Sequence, residues 1–185
     1  MALLASSWLC AASAAAGDLA QEVEQHNDID LGVSLDATEQ SGQALATVRI
    51  HARREVVWAL ITSCQSALAL VPGLVGCEVL ATAPDGSWQS IQHVLNYSWY
   101  VPKLTYVFRA TYDKPARVSI ERVSGDLKTL KVSWNLRSDG DDTVAQYAIE
   151  LAPGFWVPHW MVRLALRRDL PKMLRALRAR AEAKP

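Results

Sequence analysis

The chain is poor in the residue types that most metal and cofactor sites require. It contains 3 Cys and 4 His among 185 residues, and the histidines are scattered along the chain. No His, Cys or carboxylate cluster has the spacing of a metal site, no Gly-rich segment forms a phosphate loop, and no Ser, His and Asp set indicates a nucleophilic triad. The sequence therefore predicts no catalytic residue, no metal and no cofactor, and it favours a binding protein over an enzyme.

The chain also lacks an excess of charge of either sign, because 19 basic residues balance 19 acidic ones. A chain without excess positive charge has no overall field that attracts nucleic acid, so we expect no nucleic-acid partner. The balance hides an asymmetry, since every charged residue in 18–46 is acidic whereas 163–184 is mostly basic. We interpret the basic segment first as a solvated helix face. Peripheral contact with an anionic membrane is the second interpretation, and pairing with the acidic segment is the third.

The first sixteen residues carry no charge and consist mostly of Ala, Leu and Ser. They are shorter than the roughly 20 apolar residues that span a bilayer. They end in three Ala residues, the small side chains at which a signal peptidase cleaves. We therefore expect 1–16 to be a signal peptide removed near Ala16, and 17–185 to be one periplasmic or secreted domain. A disordered Ala-rich tail is the alternative, and the basic start of a typical signal peptide is missing, because 1–16 contain no Lys or Arg. A lipoprotein anchor at Cys10 is not expected, because Trp8-Leu9 before it is a poor match to a lipoprotein signal.

Removal of such a peptide would leave two cysteines, Cys64 and Cys77. An even number of cysteines in an oxidising compartment favours a disulfide between them. Two buried free thiols are the alternative, because pairing also requires a geometry that the sequence does not give.

Alternation of apolar and polar residues dominates the middle of the chain and predicts an antiparallel meander. Strands are predicted at 29–36, 45–51, 75–81, 88–99, 104–112, 117–123, 129–137 and 143–151. Helical spacing predicts short helices at 53–64 and 67–70, and one amphipathic helix of more than 20 residues after Pro158. Pro171 inside this last helix predicts a kink or a break.

The order of these elements predicts an internal cavity. A sheet with one apolar face must bury that face against other elements, and a strongly twisted sheet curls around a helix. One long helix and two short ones do not fill the space under a sheet of about seven strands. We therefore expect a curved sheet around the C-terminal helix, with an apolar pocket between them.

Several segments resemble the START-like helix-grip superfamily, which includes polyketide cyclases and coenzyme Q-binding proteins. The similar segments are 57–62 (VWALIT), 70–74 (LVPGL), 77–80 (CEVL), 153–158 (PGFWVP) and 167–171 (RRDLP). The resemblance covers 44–181 and implies an α+β helix-grip fold, a curved antiparallel sheet of about seven strands around a long C-terminal helix. Members of this superfamily bind lipids, isoprenoids, sterols or polyketides, and some catalyse reactions, so the resemblance alone does not choose one function.

Aromatic residues with a polar tip are numerous, with 7 Trp and 5 Tyr, and they suit a pocket that holds an apolar ligand. Strand alternation places the candidates that lie on strands on inner faces and carries Arg122 inward after Val118 and Ile120. Trp156 and Trp160 are expected near the pocket mouth, as are Tyr97 and Tyr106. Ordinary core packing is the alternative for the aromatics, and internal hydrogen bonding is the preferred one for His93 and Arg122. The candidate ligand-binding residues are His93, Tyr97, Tyr106, Phe108, Arg122, Trp134, Tyr147, Trp156, Trp160 and Met161.

These features lead to one functional hypothesis and two alternatives. The first is an exported binding or carrier protein for a hydrophobic small molecule, such as a lipid, an isoprenoid or a sterol-like compound. The second is an enzyme of the polyketide cyclase or dehydratase type, in which His93 and Tyr97 would be the pair to test. The third is a module that binds a partner through its basic helix.

Overall fold

The computed structural model describes residues 22–26, 29–38, 40–97 and 103–183. The predicted signal peptide 1–16 and the end of the predicted strand 88–99 at Trp99 lie outside these residues. The elements in chain order are β1 (Glu22–His26), β2 (Ile29–Leu35), β3 (Gly42–Ile50), α1 (Arg54–Ile61), α2 (Cys64–Leu70), β4 (Leu74–Thr82), β5 (Trp88–Leu95), β6 (Leu104–Asp113), β7 (Arg117–Gly125), β8 (Leu127–Asp139), β9 (Asp142–Pro153), α3 (His159–Leu164), a π-helical turn (Ala165–Asp169) and α4 (Leu170–Glu182).

Within the described residues the strands form one nine-stranded sheet, in the order β1-β2-β3-β9-β8-β7-β6-β5-β4. Every neighbouring pair is antiparallel. The predicted α+β helix-grip fold is thereby confirmed. The sheet contains the eight strands predicted from alternation and one more, β1, which extends it beyond β2 and was not predicted.

The C-terminal helical segment packs on the sheet at β2 and β3. Leu166, Leu174 and Leu177 are almost completely buried there, and burying a Leu side chain stabilises the fold by about 1.5–3 kcal/mol. Gly42 allows this close approach, because a Cβ at that position would lie 2.5 Å from Cδ1 of Leu166. No helix in the described part of the chain combines the length and the apolarity needed to cross a bilayer.

The π-helical turn explains how the last helix accommodates Pro171. Proline has no N–H, and its ring clashes with the carbonyl group four residues earlier. The preceding residue, Leu170, instead donates its N–H to the carbonyl oxygen of Ala165, five residues back. The predicted interruption of the helix therefore takes the form of one wide turn just before Pro171, after which α4 continues.

Residues 53–64 were predicted as one helix, but the structure divides them. The first helix ends at Ile61. The hydroxyl oxygen of Ser63 then accepts a hydrogen bond from the N–H of Ser66 at 3.3 Å, which caps the start of α2. Cys64, the first residue of α2, is bonded to Cys77 in β4, with the Cα atoms 5.4 Å apart. The predicted Cys64–Cys77 pairing is confirmed, and it ties α2 to β4.

Candidate functional site

An apolar cavity of about 270 Å³ lies between the inner face of the sheet and the helices. Strands β5, β6, β8 and β9 form one wall, the α1–α2 segment forms a second, and the C-terminal helical segment forms a third. The volume is close to the lower limit of about 300 Å³ for small-molecule pockets. The wall is mostly aliphatic and aromatic, so its contribution to binding is burial of apolar surface.

Most of the candidate residues line this cavity. Alternation along β6, β8 and β9 correctly predicted the inner faces, and the rings of Trp134 and Tyr147 meet edge to face with their centroids 4.5 Å apart. Whether these side chains contact a ligand stays a prediction. The candidates that line the cavity are His93, Tyr97, Tyr106, Phe108, Trp134, Tyr147 and Met161.

His93 is buried at the cavity wall and already has a partner. Its Nδ1 lies 3.2 Å from the hydroxyl oxygen of Tyr106, within hydrogen-bond distance. The edge of its ring also meets Phe108, with centroids 4.8 Å apart. Burial lowers the pKa of His93 to about 4, so its imidazole is neutral at neutral pH. Burial likewise raises the pKa of Tyr106, which keeps that hydroxyl protonated.

The predicted inward orientation of Arg122 is wrong. This side chain is exposed, and its Nη2 donates a hydrogen bond to the carbonyl oxygen of Gly125 at 3.1 Å. Two irregularities explain the failure of simple alternation. Pairing between β7 and β8 ends at Glu121, and the register between β7 and β6 shifts next to Phe108. Beyond Glu121 the strand leaves the cavity wall, so Arg122 avoids the cost of burying its charge.

Trp156 and Trp160 flank the cavity but do not line it. They are 74% and 50% exposed, respectively. Their chain neighbours Phe155 and Met161 do line the cavity, so this segment places aromatic side chains at its border. The expected position of the two tryptophans near the pocket mouth agrees with this, and whether they contact a ligand stays a prediction.

Sequence reasoning missed Asp169, the last residue of the π-helical turn. Asp169 lines the cavity and is only 4% exposed. Its Oδ1 accepts a hydrogen bond from Nε of Arg168 at 2.9 Å, whereas its buried Oδ2 has no hydrogen-bond partner among the described residues. Helical spacing contained the signal, because Asp169 lies three residues after Leu166 and four before Met173 on the apolar stripe.

Tyr97 lies close enough to Asp169 to respond to its charge. Burial, together with the Asp169 carboxylate, raises the pKa of Tyr97 to about 12, and the Arg168 guanidinium acts in the opposite direction. Burial also raises the pKa of Tyr147. The tyrosine hydroxyls of the cavity are therefore protonated near neutral pH and can donate hydrogen bonds. The described residues contain no group of three or more His, Cys, Asp or Glu that could hold a metal ion.

Comparison with known families and structures adds to this geometry. The model of a family described as polyketide cyclase / dehydrase and lipid transport matches residues 50–178. None of the curated proteins compared with the chain matches it.

Three solved structures are similar to the chain at low sequence identity. A STAR-related lipid transfer protein from Xanthomonas axonopodis is 19% identical with a TM-score of 0.68, over 84% of this chain and 94% of that one. A START superfamily protein from Mycobacterium smegmatis is 18% identical with a TM-score of 0.64, over 76% and 97%. The Zhui aromatase/cyclase from a Streptomyces species is 16% identical with a TM-score of 0.63, over 77% and 94%. At such identities the likeness shows the fold alone.

Proposed function

Because the chain belongs to the polyketide cyclase / dehydrase and lipid transport family, we propose that it binds a hydrophobic small molecule in its cavity and carries it. Lipids, isoprenoids and sterol-like compounds are the ligand classes that we propose. The observation that supports this function best is the apolar cavity enclosed by the sheet, the α1–α2 segment and the C-terminal helix. A ligand inside it would transfer its apolar surface from water into contact with the protein. This burial is the main source of affinity in such sites.

The polar groups of the cavity favour carriage over catalysis. His93 shares its hydrogen bond with Tyr106, and the tyrosine hydroxyls are held in their protonated form. Among the described residues that line the cavity, Asp169 is the one carboxylate. General acid-base chemistry usually needs two titratable groups that converge on the substrate with suitable pKa values, whereas burial lowers the pKa of His93 to about 4 and raises that of Tyr106.

Solvent extraction of the purified protein, followed by mass spectrometry, tests this function. We expect a defined apolar compound in the extract, and uptake of a fluorescent lipid by the emptied protein. Val132→Phe fills the cavity wall and should reduce uptake. Val123→Phe makes the same change at an exposed position of β7 and should leave uptake unchanged. A protein that contains no apolar compound and takes up no lipid would rule the proposed function out.

A cyclase or dehydratase activity is the second candidate, supported by the His93–Tyr106 pair beside Tyr97 in the cavity. A neutral imidazole linked to a phenol can relay a proton to or from a bound polyketide-like substrate. The variants His93→Gln and Tyr97→Phe separate the two functions. Loss of turnover with binding retained supports the enzyme, whereas absence of turnover in the wild type supports the carrier.

We further propose that 1–16 is a signal peptide and that the mature protein is periplasmic or secreted. The Cys64–Cys77 disulfide supports this location, because disulfides persist mainly in oxidising compartments. Mass measurement of the protein from separated cell fractions tests it. A cytosolic protein that retains residues 1–16 would contradict the proposal.

Peripheral contact with a membrane is proposed for the segment at the cavity border. Phe155, Trp156 and Trp160 are exposed there, and the exposed basic residues Arg163 and Lys172 follow on the same helical segment. Aromatic side chains combined with basic ones suit the interface of an anionic bilayer. Such contact would place the cavity border against the membrane from which an apolar ligand enters.

A further inference from the structure

Asp169 is costly for an otherwise apolar cavity. Transfer of a carboxylate out of water is unfavourable unless its oxygens are hydrogen bonded and its charge is balanced. The Arg168 guanidinium meets both needs for one oxygen, since its Nε lies 2.9 Å from Oδ1. The Arg168 side chain is itself half exposed, so it reaches the buried carboxylate from the surface. Oδ2 gains no such partner among the described residues.

The location of Asp169 at the cavity indicates that its unsatisfied oxygen serves ligand binding rather than the stability of the fold. The residue closes the π-helical turn and lines the cavity. Wide turns of this kind occur often at functional sites. Its Oδ2 is a buried acceptor without a partner among the described residues, and buried acceptors are normally satisfied.

We propose that Oδ2 of Asp169 accepts a hydrogen bond from a hydroxyl group of the apolar ligand. The inference rests on the proposed function, which it deepens by naming the chemical class: a neutral alcohol or phenol. The ligand's apolar body then lies along the aliphatic and aromatic wall, and its hydroxyl end meets the carboxylate. Tyr97 also lines the cavity, and its hydroxyl can donate to the ligand's oxygen.

Because the charge of Asp169 is already compensated, the site should prefer a neutral alcohol or phenol over an ether and over an ionised acid. Arg168 already compensates the carboxylate charge, so the remaining oxygen needs a donor and not a second cation. An ether of the same shape has no donor and leaves Oδ2 unsatisfied. An ionised carboxylic acid lacks a donor as well and brings a like charge against the carboxylate.

Displacement of the neutral dye Nile red measures these preferences with ligands of one chain length. The ligands are 1-dodecanol, its methyl ether, and dodecanoate at about pH 8, where it is ionised. We expect the wild type to bind the alcohol about tenfold more tightly than the ether, and dodecanoate the least. Equal affinities for the alcohol and the ether in the wild type would overturn the inference, and this comparison requires no variant.

Two variants assign the preference to Asp169. Asp169→Leu removes the acceptor, so the affinity for the alcohol should fall to that for the ether. Asp169→Asn removes the charge, so dodecanoate should bind more tightly than it does to the wild type. Glu150→Gln makes the same kind of change at a carboxylate outside this cavity, where Lys131 pairs with it at 3.2 Å, and should change nothing. A full alcohol preference in Asp169→Leu would overturn the inference.

The same titration distinguishes the two levels of the proposal. If the alcohol and the ether both bind without discrimination, the hydroxyl preference is wrong and the hydrophobic-ligand function stands. If none of the dye, the alcohol and the ether binds, the proposed function is wrong and the inference falls with it.

Discussion

At the scale of single residues, the buried imidazole of His93 makes stability depend on pH. The unfolded chain titrates at the ordinary pKa of 6.5, whereas the native chain titrates at about 4. Below pH 6.5 the unfolded state therefore binds a proton that the native state does not. The free energy of unfolding should fall as the pH is lowered from 6.5 to about 4. Above pH 6.5, His93 should cause no change in stability with pH. The full effect amounts to about 3 kcal/mol.

Urea denaturation of the wild type and His93→Gln tests this dependence. Glutamine retains a polar partner for Tyr106 but does not titrate. The wild type should lose about 3 kcal/mol more than the variant between neutral pH and a pH near the native pKa. His51→Gln is the matched control, because His51 is an exposed histidine beside Asp142. An equal loss in the wild type and His93→Gln would contradict the assignment.

Residue positions were predictable from the sequence where the strands are regular. Tyr106 lies on the regular β5–β6 ladder and Trp134 in the regular part of the β8–β9 ladder, so a period of two places them correctly. Arg122 lies between the end of the β7–β8 pairing and a register shift against β6, and neither irregularity leaves a mark on composition. Asp169 was missed for a different reason. A single carboxylate on an apolar stripe is easily assigned to the solvent face with its basic neighbours, although helical spacing places it inward.

At the scale of elements, the disulfide fixes α2 against β4, and both cysteines line the cavity. Closing a loop with a sequence separation of 13 residues stabilises the native state by about 3 kcal/mol in the chain-entropy model. Reduction should therefore lower the free energy of unfolding by about that amount. Urea denaturation with and without dithiothreitol measures the difference. The double variant Cys64→Ala/Cys77→Ala should show no response to the reductant, and an equally unresponsive wild type would contradict the prediction.

The segment that leads into α3 is expected to anchor the protein to anionic vesicles. Trp156 and Trp160 present large exposed rings, which partition well into the membrane interface. Trp156→Ala/Trp160→Ala should reduce flotation with phosphatidylglycerol vesicles several-fold, and Lys172→Glu should weaken it and reduce its sensitivity to salt. Trp88→Ala is the matched control, because Trp88 stacks under Arg109 with its ring centroid 4.5 Å from Cζ, in β5. Equal flotation of the wild type and the double variant would exclude this surface.

Element boundaries were less predictable than element types. The existence of the C-terminal helix followed from its apolar stripe, but the form of its interruption depended on which carbonyl group the N–H of Leu170 reached. The break between α1 and α2 depended on a single side-chain cap at Ser63. Such hydrogen bonds are worth about 1 kcal/mol, too little to stand out in a pattern of hydrophobicity.

At the scale of the whole molecule, the sheet order joins the two ends of the chain. Strands β3 and β9 are far apart in the sequence, and they pair in an antiparallel ladder that runs from Gly42–Leu151 to Ile50–Thr143. The sequence predicted the meander from β4 to β9 through its short turns, whereas this long-range pair was not predicted. The cavity is likewise a property of the whole, because it depends on how far the helical segment stands from the sheet.

A cavity enclosed by elements that are far apart in the sequence exists only in the native state, so its ligand should stabilise the fold by mass action. At a ligand concentration of about 100 Kd the gain is about 2.7 kcal/mol. For a chain of this size, that gain raises the melting temperature by about 5–10 °C. Thermal denaturation of the emptied protein with and without 1-dodecanol measures the shift. Val132→Phe should reduce it and Val123→Phe should retain it, because only the first side chain lies in the cavity wall. An equal shift in both variants would place the binding site elsewhere on the protein.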